Sequence, residues 1–153
     1  MKVTFWGCRG SLPASYGHEY NEKRVREILQ IAVDAGINQK SDLNAFIEDL
    51  PFHLRGSYGT NTSCVQIVGG SEVIICDAGS GIRDLGKHFV MQGPNMPKTY
   101  HILMSHLHWD HIQGFPFFIP AYIQGVTINI YGCHDTIEQA FIDQQDIPTF
   151  PVA

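Results

Sequence analysis

Residues 106–111 read His106-Leu107-His108-Trp109-Asp110-His111, one residue beyond the mostly apolar run 100–104. An apolar run of that length reads as a buried strand. A chain built this way must end a core strand in a polar turn, so three imidazoles and a carboxylate come together at a sheet edge. His106 and His108 are two positions apart and can point the same way to share one ion. Asp110 and His111 follow at once and can face a second ion beside it. Nitrogen and oxygen donors of this kind suit zinc, at Zn–N distances of about 2.0–2.1 Å, rather than calcium or magnesium. Two divalent ions about 3.5–4 Å apart hold a hydroxide between them and stabilise a developing oxyanion. The competing reading is structural: neutral histidines capping a turn through hydrogen bonds. His18, His53, His88, His101 and His134 are isolated in the sequence and read as surface or core histidines.

With 153 residues the chain suits one domain with a modest core. It is 44% hydrophobic and 16% charged, in the range of soluble globular proteins. It contains no run of about 18 apolar residues, so no membrane span is expected. The start, Met1-Lys2-Val3-Thr4-Phe5-Trp6, reads as a strand and not as a signal peptide. Cys8, Cys64, Cys76 and Cys133 are far apart and lack any Cys-x-x-Cys spacing. They read as reduced, mostly buried thiols of a cytoplasmic protein, with no zinc role. The net charge of −5 argues against a broad nucleic-acid surface. A small phosphate substrate remains compatible, because bound metals supply local positive charge.

Periodicity places the elements. Residues 2–6 alternate as a strand and 7–18 form a glycine-rich loop. Asn21 is the expected cap of a helix running to about residue 35, with Val25, Ile28, Leu29 and Ala32 at helical spacing and Gly36 as its stop. Ser41 is the expected cap of a second short helix carrying Leu43, Phe46, Ile47 and Leu50, ended by Pro51. The apolar stripe of this pair either packs in a core or covers the mouth of a site. Residues 63–68 and 72–76 read as strands joined by Gly69-Gly70-Ser71 in a hairpin. Asp77-Ala78-Gly79 breaks the second strand, and Ser80 opens a helix with Ile82, Leu85 and Phe89 on one face. Strands follow at 99–104, expected to be buried, and at 126–131. Asp135 and Glu138 resemble a capping box for a last helix with Ile137, Ala140 and Phe141 facing inward. A hairpin followed by alternating strands and helices predicts an α/β architecture without a dinucleotide motif.

His-x-His-x-Asp-His after a strand resembles the signature of the metallo-β-lactamase fold. Other segments match in the same order: Phe5-Trp6-Gly7-Cys8-Arg9-Gly10-Ser11-Leu12-Pro13, Tyr58-Gly59-Thr60-Asn61-Thr62-Ser63-Cys64, Ile74-Ile75-Cys76-Asp77-Ala78-Gly79-Ser80-Gly81, and Ser105-His106 through Gly114-Phe115-Pro116-Phe117-Phe118. Together they resemble the branch containing ribonuclease Z and the cyclic-phosphate phosphodiesterases. The likeness covers nearly all of the chain except about 18–55, which reads as a helical insertion.

The resemblance implies an αββα four-layer sandwich of which 1–153 is the N-terminal half, a mixed sheet with flanking helices. The family's third histidine, bridging aspartate and final histidine would then lie beyond Ala153, supplied by a C-terminal half or by a homo-oligomer partner. The ending Phe150-Pro151-Val152-Ala153 reads as the lead into another element. The resemblance implies zinc, two ions per complete site, with manganese or iron as alternatives, on His106, His108, Asp110 and His111. Asp110 would also orient the attacking water, although a carboxylate tied to a metal is a weak base. Asp77 would stand behind the ligands and orient a histidine.

Arg9 and Ser11 lie in a turn that either cradles phosphate or is a plain surface turn. Asn61 either lines the site or makes turn hydrogen bonds. Trp109 is expected to pack behind the metal loop, and Phe115, Phe117 and Phe118 to wall a pocket or cover the core. The expected function is hydrolysis of a phosphodiester such as a cyclic nucleotide or RNA-like phosphate. The alternatives are a hydrolase of a lactone, thioester or β-lactam on the same site, and a catalytically incomplete half-domain.

Overall fold

The computed structural model describes residues 1–38, 41–70, 72–148 and 150. They form two units, Met1–Ala14 with Gly59–Ala153, and Ser15–Tyr58. The smaller unit holds helices α1 (His18–Asp34), α2 (Leu43–Asp49) and α3 (Phe52–Arg55). The larger holds strands β1 (Lys2–Gly7), β2 (Cys64–Val68), β3 (Val73–Cys76), β4 (Thr99–Leu103) and β5 (Thr127–Tyr131). Its helices are α4 (Gly81–Val90), α5 (Trp109–Ile112) and α6 (Ile137–Asp143).

The five strands form one mixed sheet in the order β1-β2-β3-β4-β5. β1 pairs with β2, and β2 with β3, antiparallel; β3–β4 and β4–β5 are parallel. This is the α/β class that the sequence predicts. Two antiparallel steps leave β1 running in the same direction as β3 and β4. The loops that leave these three strands therefore meet at one edge of the sheet, where ligands of α/β sheets commonly bind.

The core lies on one face. Residues of period two along β3 and β4 alternate: Val73, Ile75, Tyr100 and Ile102 are buried, while Ile74 and Leu103 are exposed. α4 offers Ile82, Leu85 and Phe89 at helical spacing, all buried in the same cluster as those strand residues. Tyr100 is gripped edge-on between Phe89 and Phe118, with ring centroids 5.2 and 5.3 Å away. Full burial of each such side chain contributes roughly 1.5–3 kcal/mol. Phe115 and Phe118 belong to this core, whereas Phe117 is exposed.

The other face of the sheet is open. Register aligns Val3, Ile67, Ile74, His101 and Asn129 in one row, and Phe5, Val65, Cys76, Leu103 and Tyr131 in the next. Phe5 is 70% exposed and Tyr131 47%. β4, expected to be buried, is thus buried on one side only, because helices cover a single face. A shallow cavity of about 600 Å³ lies here, lined in part by Ile67, Ile74, His101, Leu103 and Tyr131. His101 is not isolated: its ring nitrogens lie 2.9 Å from Glu72 Oε2 and 3.0 Å from the Tyr131 hydroxyl.

Several local expectations are corrected. Asn21 does not cap α1, which starts earlier with Gly17 as its N-cap; Asn21 lies inside the helix and donates to the Tyr16 carbonyl. On the expected stripe of α1, Val25 and Leu29 are exposed. Asp42, not Ser41, caps α2, accepting from the amides of Asn44 and Ala45. Ser41 accepts from the Asn38 amide instead. Thr136 precedes α6 and no capping box forms, since the N-cap makes no side-chain bond to the helix. Of the cysteines, Cys64 is buried and Cys76 half-buried, but Cys8 and Cys133 are exposed. The strands of the expected hairpin pair as predicted. Ser71 of its turn, and residues 151–153 of the ending, lie outside the described residues. Among the described residues, no helix is long and apolar enough to cross a membrane.

Candidate metal centre

Four chain segments meet at the sheet edge beyond β1, β3 and β4, and glycines let them approach. A Cβ at Gly7 would stand 1.9 Å from the Thr62 carbonyl oxygen, and one at Gly114 2.0 Å from that of Gly79. A Cβ at Gly79 would meet the Asp110 carbonyl oxygen at 2.4 Å. Backbone bonds tie the same segments: Ala78 N–H to the His111 carbonyl, Gly79 N–H to Ser63 and Gly114 N–H to Ala78, at 2.8–2.9 Å. Thr62, fully buried, exchanges hydrogen bonds with Ser80: each amide donates to the other's hydroxyl.

This floor supports the hexapeptide. His106 follows β4, His108 precedes the single turn α5, and Asp110 and His111 lie within it. The His106 ring centroid is 4.5 Å from that of His108 and 4.0 Å from that of His111. Asp110 Oδ2 lies 3.5 Å from His111 Nε2. The four groups are neighbours in pairs; among the described residues no three His, Cys, Asp or Glu side chains already converge as a metal-ligand set.

Behind them stands Asp77, only 6% exposed. Its backbone takes the left-handed region at φ 63°, which costs a non-glycine residue energy and is tolerated best by Asp and Asn. The turn aims the carboxylate at the cluster. Asp77 Oδ2 lies 2.8 Å from His111 Nδ1 and accepts from Ser63 Oγ, while Oδ1 accepts from the Ser105 amide. Burial opposes the charge on Asp77, but the Ser105 amide, His111 and the Ser105 and Ser63 hydroxyls outweigh it and hold the carboxyl below its usual value.

Ser11 reaches the cluster from the loop after β1. Its backbone is also left-handed, φ 63°, and its amide donates to Asp110 Oδ2 at 2.8 Å. That bond, against some loss of hydration and with the nearby His111 and His106, lowers the Asp110 carboxyl. Ser11 therefore meets Asp110 through its backbone. Arg9 bonds through Nε to the Gly59 carbonyl. Asn61 is committed elsewhere: its amide donates to Asp84 Oδ2 at 2.8 Å and its oxygen accepts from Ser80 Oγ. Trp109, expected to pack behind the loop, is 57% exposed, because α5 turns that position outward.

The structure thus gathers His106, His108, Asp110, His111, Asp77 and Ser11, and leaves the Asn61 side chain outside the group. It adds Ser105 and Ser63, which lie in segments that carry the family resemblance but which no spacing marks as site residues. Comparison with protein-family models, curated proteins and solved structures finds no match.

Proposed function

We propose that the chain carries the metal-binding part of a metal-dependent hydrolase of phosphodiesters, built on a metallo-β-lactamase-like fold. The observation that carries this reading is the gathering of His106, His108, Asp110 and His111 at one sheet edge, with Asp77 behind them. The donor set fits zinc: imidazole nitrogens and a carboxylate, without a thiolate. The backing fits as well, since ligand histidines usually give their second ring nitrogen to a carboxylate, as His111 Nδ1 meets Asp77. His106 and His108 would hold one ion, and Asp110 and His111 a second. When bound, zinc lowers the pKa of water toward neutrality and polarises a phosphoryl oxygen.

The chain's own residues supply position. Asp77 and Ser105 fix the rings of His111 and His106. The Ser11 amide holds Asp110 and keeps it ionised. Manganese and iron are alternatives for the ion.

The open sheet face favours a second reading, a half-domain whose catalytic set is completed by further polypeptide or by a partner copy, since soluble monomers avoid large apolar patches. The test is zinc content and solution mass of the purified chain, followed by turnover of bis(p-nitrophenyl) phosphate against a lactone. Zinc bound by the chain and lost in a His106→Ala, His108→Ala variant supports the metal site. Phosphodiester turnover above that of the lactone supports the substrate class. Zinc binding that survives the double substitution overturns the site.

A further inference from the structure

Ser105, the second residue after β4, sits between the buried carboxylate and two of the imidazoles. Its hydroxyl lies 2.8 and 2.9 Å from the two oxygens of Asp77, 3.1 Å from His106 Nδ1 and 3.3 Å from His111 Nδ1. A hydroxyl has one proton to donate, and an ionised carboxylate only accepts. The proton of Ser105 goes to Asp77, because a bond to the charged acceptor is about twice as strong as one between neutral groups. Only lone pairs are then left for His106, so His106 Nδ1 must carry a hydrogen to make that contact. The same holds at His111, whose Nδ1 faces Asp77 Oδ2 at 2.8 Å.

We propose that Ser105 is a positioning residue. Pinned on Asp77, its hydroxyl locks His106 in the Nδ1–H tautomer while the same carboxylate locks His111, so one Asp–Ser pair leaves both Nε2 atoms without a hydrogen, that of His111 3.5 Å from Asp110 Oδ2. An imidazole free in water favours the opposite tautomer, Nε2–H, which has no lone pair at Nε2. The lock replaces that default before any ligand arrives. The metal-binding consequence rests on the function proposed above; the tautomer assignment does not.

The test uses the full, metal-free chain with 15N-labelled histidine at pH about 8, above the ordinary histidine pKa of about 6.5. Two-bond 1H–15N correlation spectra distinguish the tautomers ring by ring. The expected result is Nδ1–H at His106 and His111 in the native chain. In Ser105→Ala, His106 moves toward Nε2–H while His111 keeps its tautomer through Asp77. Ser105→Thr keeps the hydroxyl and restores His106. Zinc affinity, read by competition with a chromogenic chelator, falls about 10–100-fold in Ser105→Ala and recovers in Ser105→Thr. Nε2–H at His106 in the native chain overturns the proposal, and so does a His106 tautomer indifferent to Ser105→Ala. Should Ser105→Ala fail to fold, the native spectrum alone decides. Locked tautomers in a chain that takes up no zinc would leave the lock standing and remove the metal reading.

Discussion

Asp77 combines two costs, a left-handed backbone and a buried charge, and both are met by the bonds it accepts from Ser63, Ser105 and His111. Asp77→Asn separates them. Asparagine tolerates the same backbone region, so the turn persists while the charge goes. Loss of charge-assisted bonds should cost about 1–3 kcal/mol in a urea titration. Zinc affinity should fall about 10–100-fold with the support of His111. An unchanged affinity would mean that Asp77 holds only the fold. Asp84 tests a different residue-level effect. Partial burial opposes its charge, yet bonds from Arg83 and Asn61 and the nearby Lys87 hold its carboxyl below the usual value. The unfolded chain then takes up the proton first as pH falls. The stability Asp84 contributes is present above the ordinary aspartate pKa of about 3.9 and lost as pH drops through the lowered folded value. The urea midpoint of Asp84→Asn should therefore lie below that of the native chain at pH 6, and the gap should close in stronger acid. A gap that persists in acid would assign the effect to packing.

Between elements, the close approach of backbones at the sheet edge decides where the candidate ligands stand. Gly114→Ala would thrust a methyl group against the Gly79 carbonyl, 2.0 Å away, where no flexible side chain can yield. The expected cost is about 3 kcal/mol or more, with loss of zinc binding. Gly10→Ala, in the loop that carries Ser11, meets nothing within 4 Å and should change stability by less than about 0.5 kcal/mol. Equal effects in the two variants, read by thermal unfolding, would contradict the interlocked floor. The pair also shows what a sequence reveals. Both glycines stand in loops beside candidate site residues, and only the fold says which one faces a backbone from another segment. The histidine cluster was legible because four candidate ligands, three histidines and an aspartate, fall within six residues, and the strands because side-chain alternation is local. Ser105, Ser63 and Thr62 were not, since their roles depend on groups 14 to 51 positions away. The helix caps failed for a related reason. Ser41 and Asp42 are adjacent candidates, and backbone geometry, not composition, selects Asp42.

Across the larger unit, the sheet divides its residues into a covered face that holds it together and an open face that contributes little to stability. The row Phe5, Val65, Cys76, Leu103 and Tyr131 runs across all five strands on the open side. Five strands about 4.8 Å apart and about 16 Å long present roughly 400 Å² in projection, the size of patch that marks an interaction surface on a soluble protein. Phe5 and Leu103, 70% and 42% exposed, keep much of their surface in water, so replacing them removes little buried area. The double variant Phe5→Lys, Leu103→Lys should therefore leave Tm within about 4 °C, the shift expected for roughly 1 kcal/mol in a chain of this size. The same variant should bind much less of an apolar dye and sediment closer to monomer mass. The two lysines interrupt the apolar row at an edge strand and near the centre, and like charges on facing copies repel. A large fall in Tm would show instead that these side chains are covered in solution, and that the open face is an interior surface of a larger assembly.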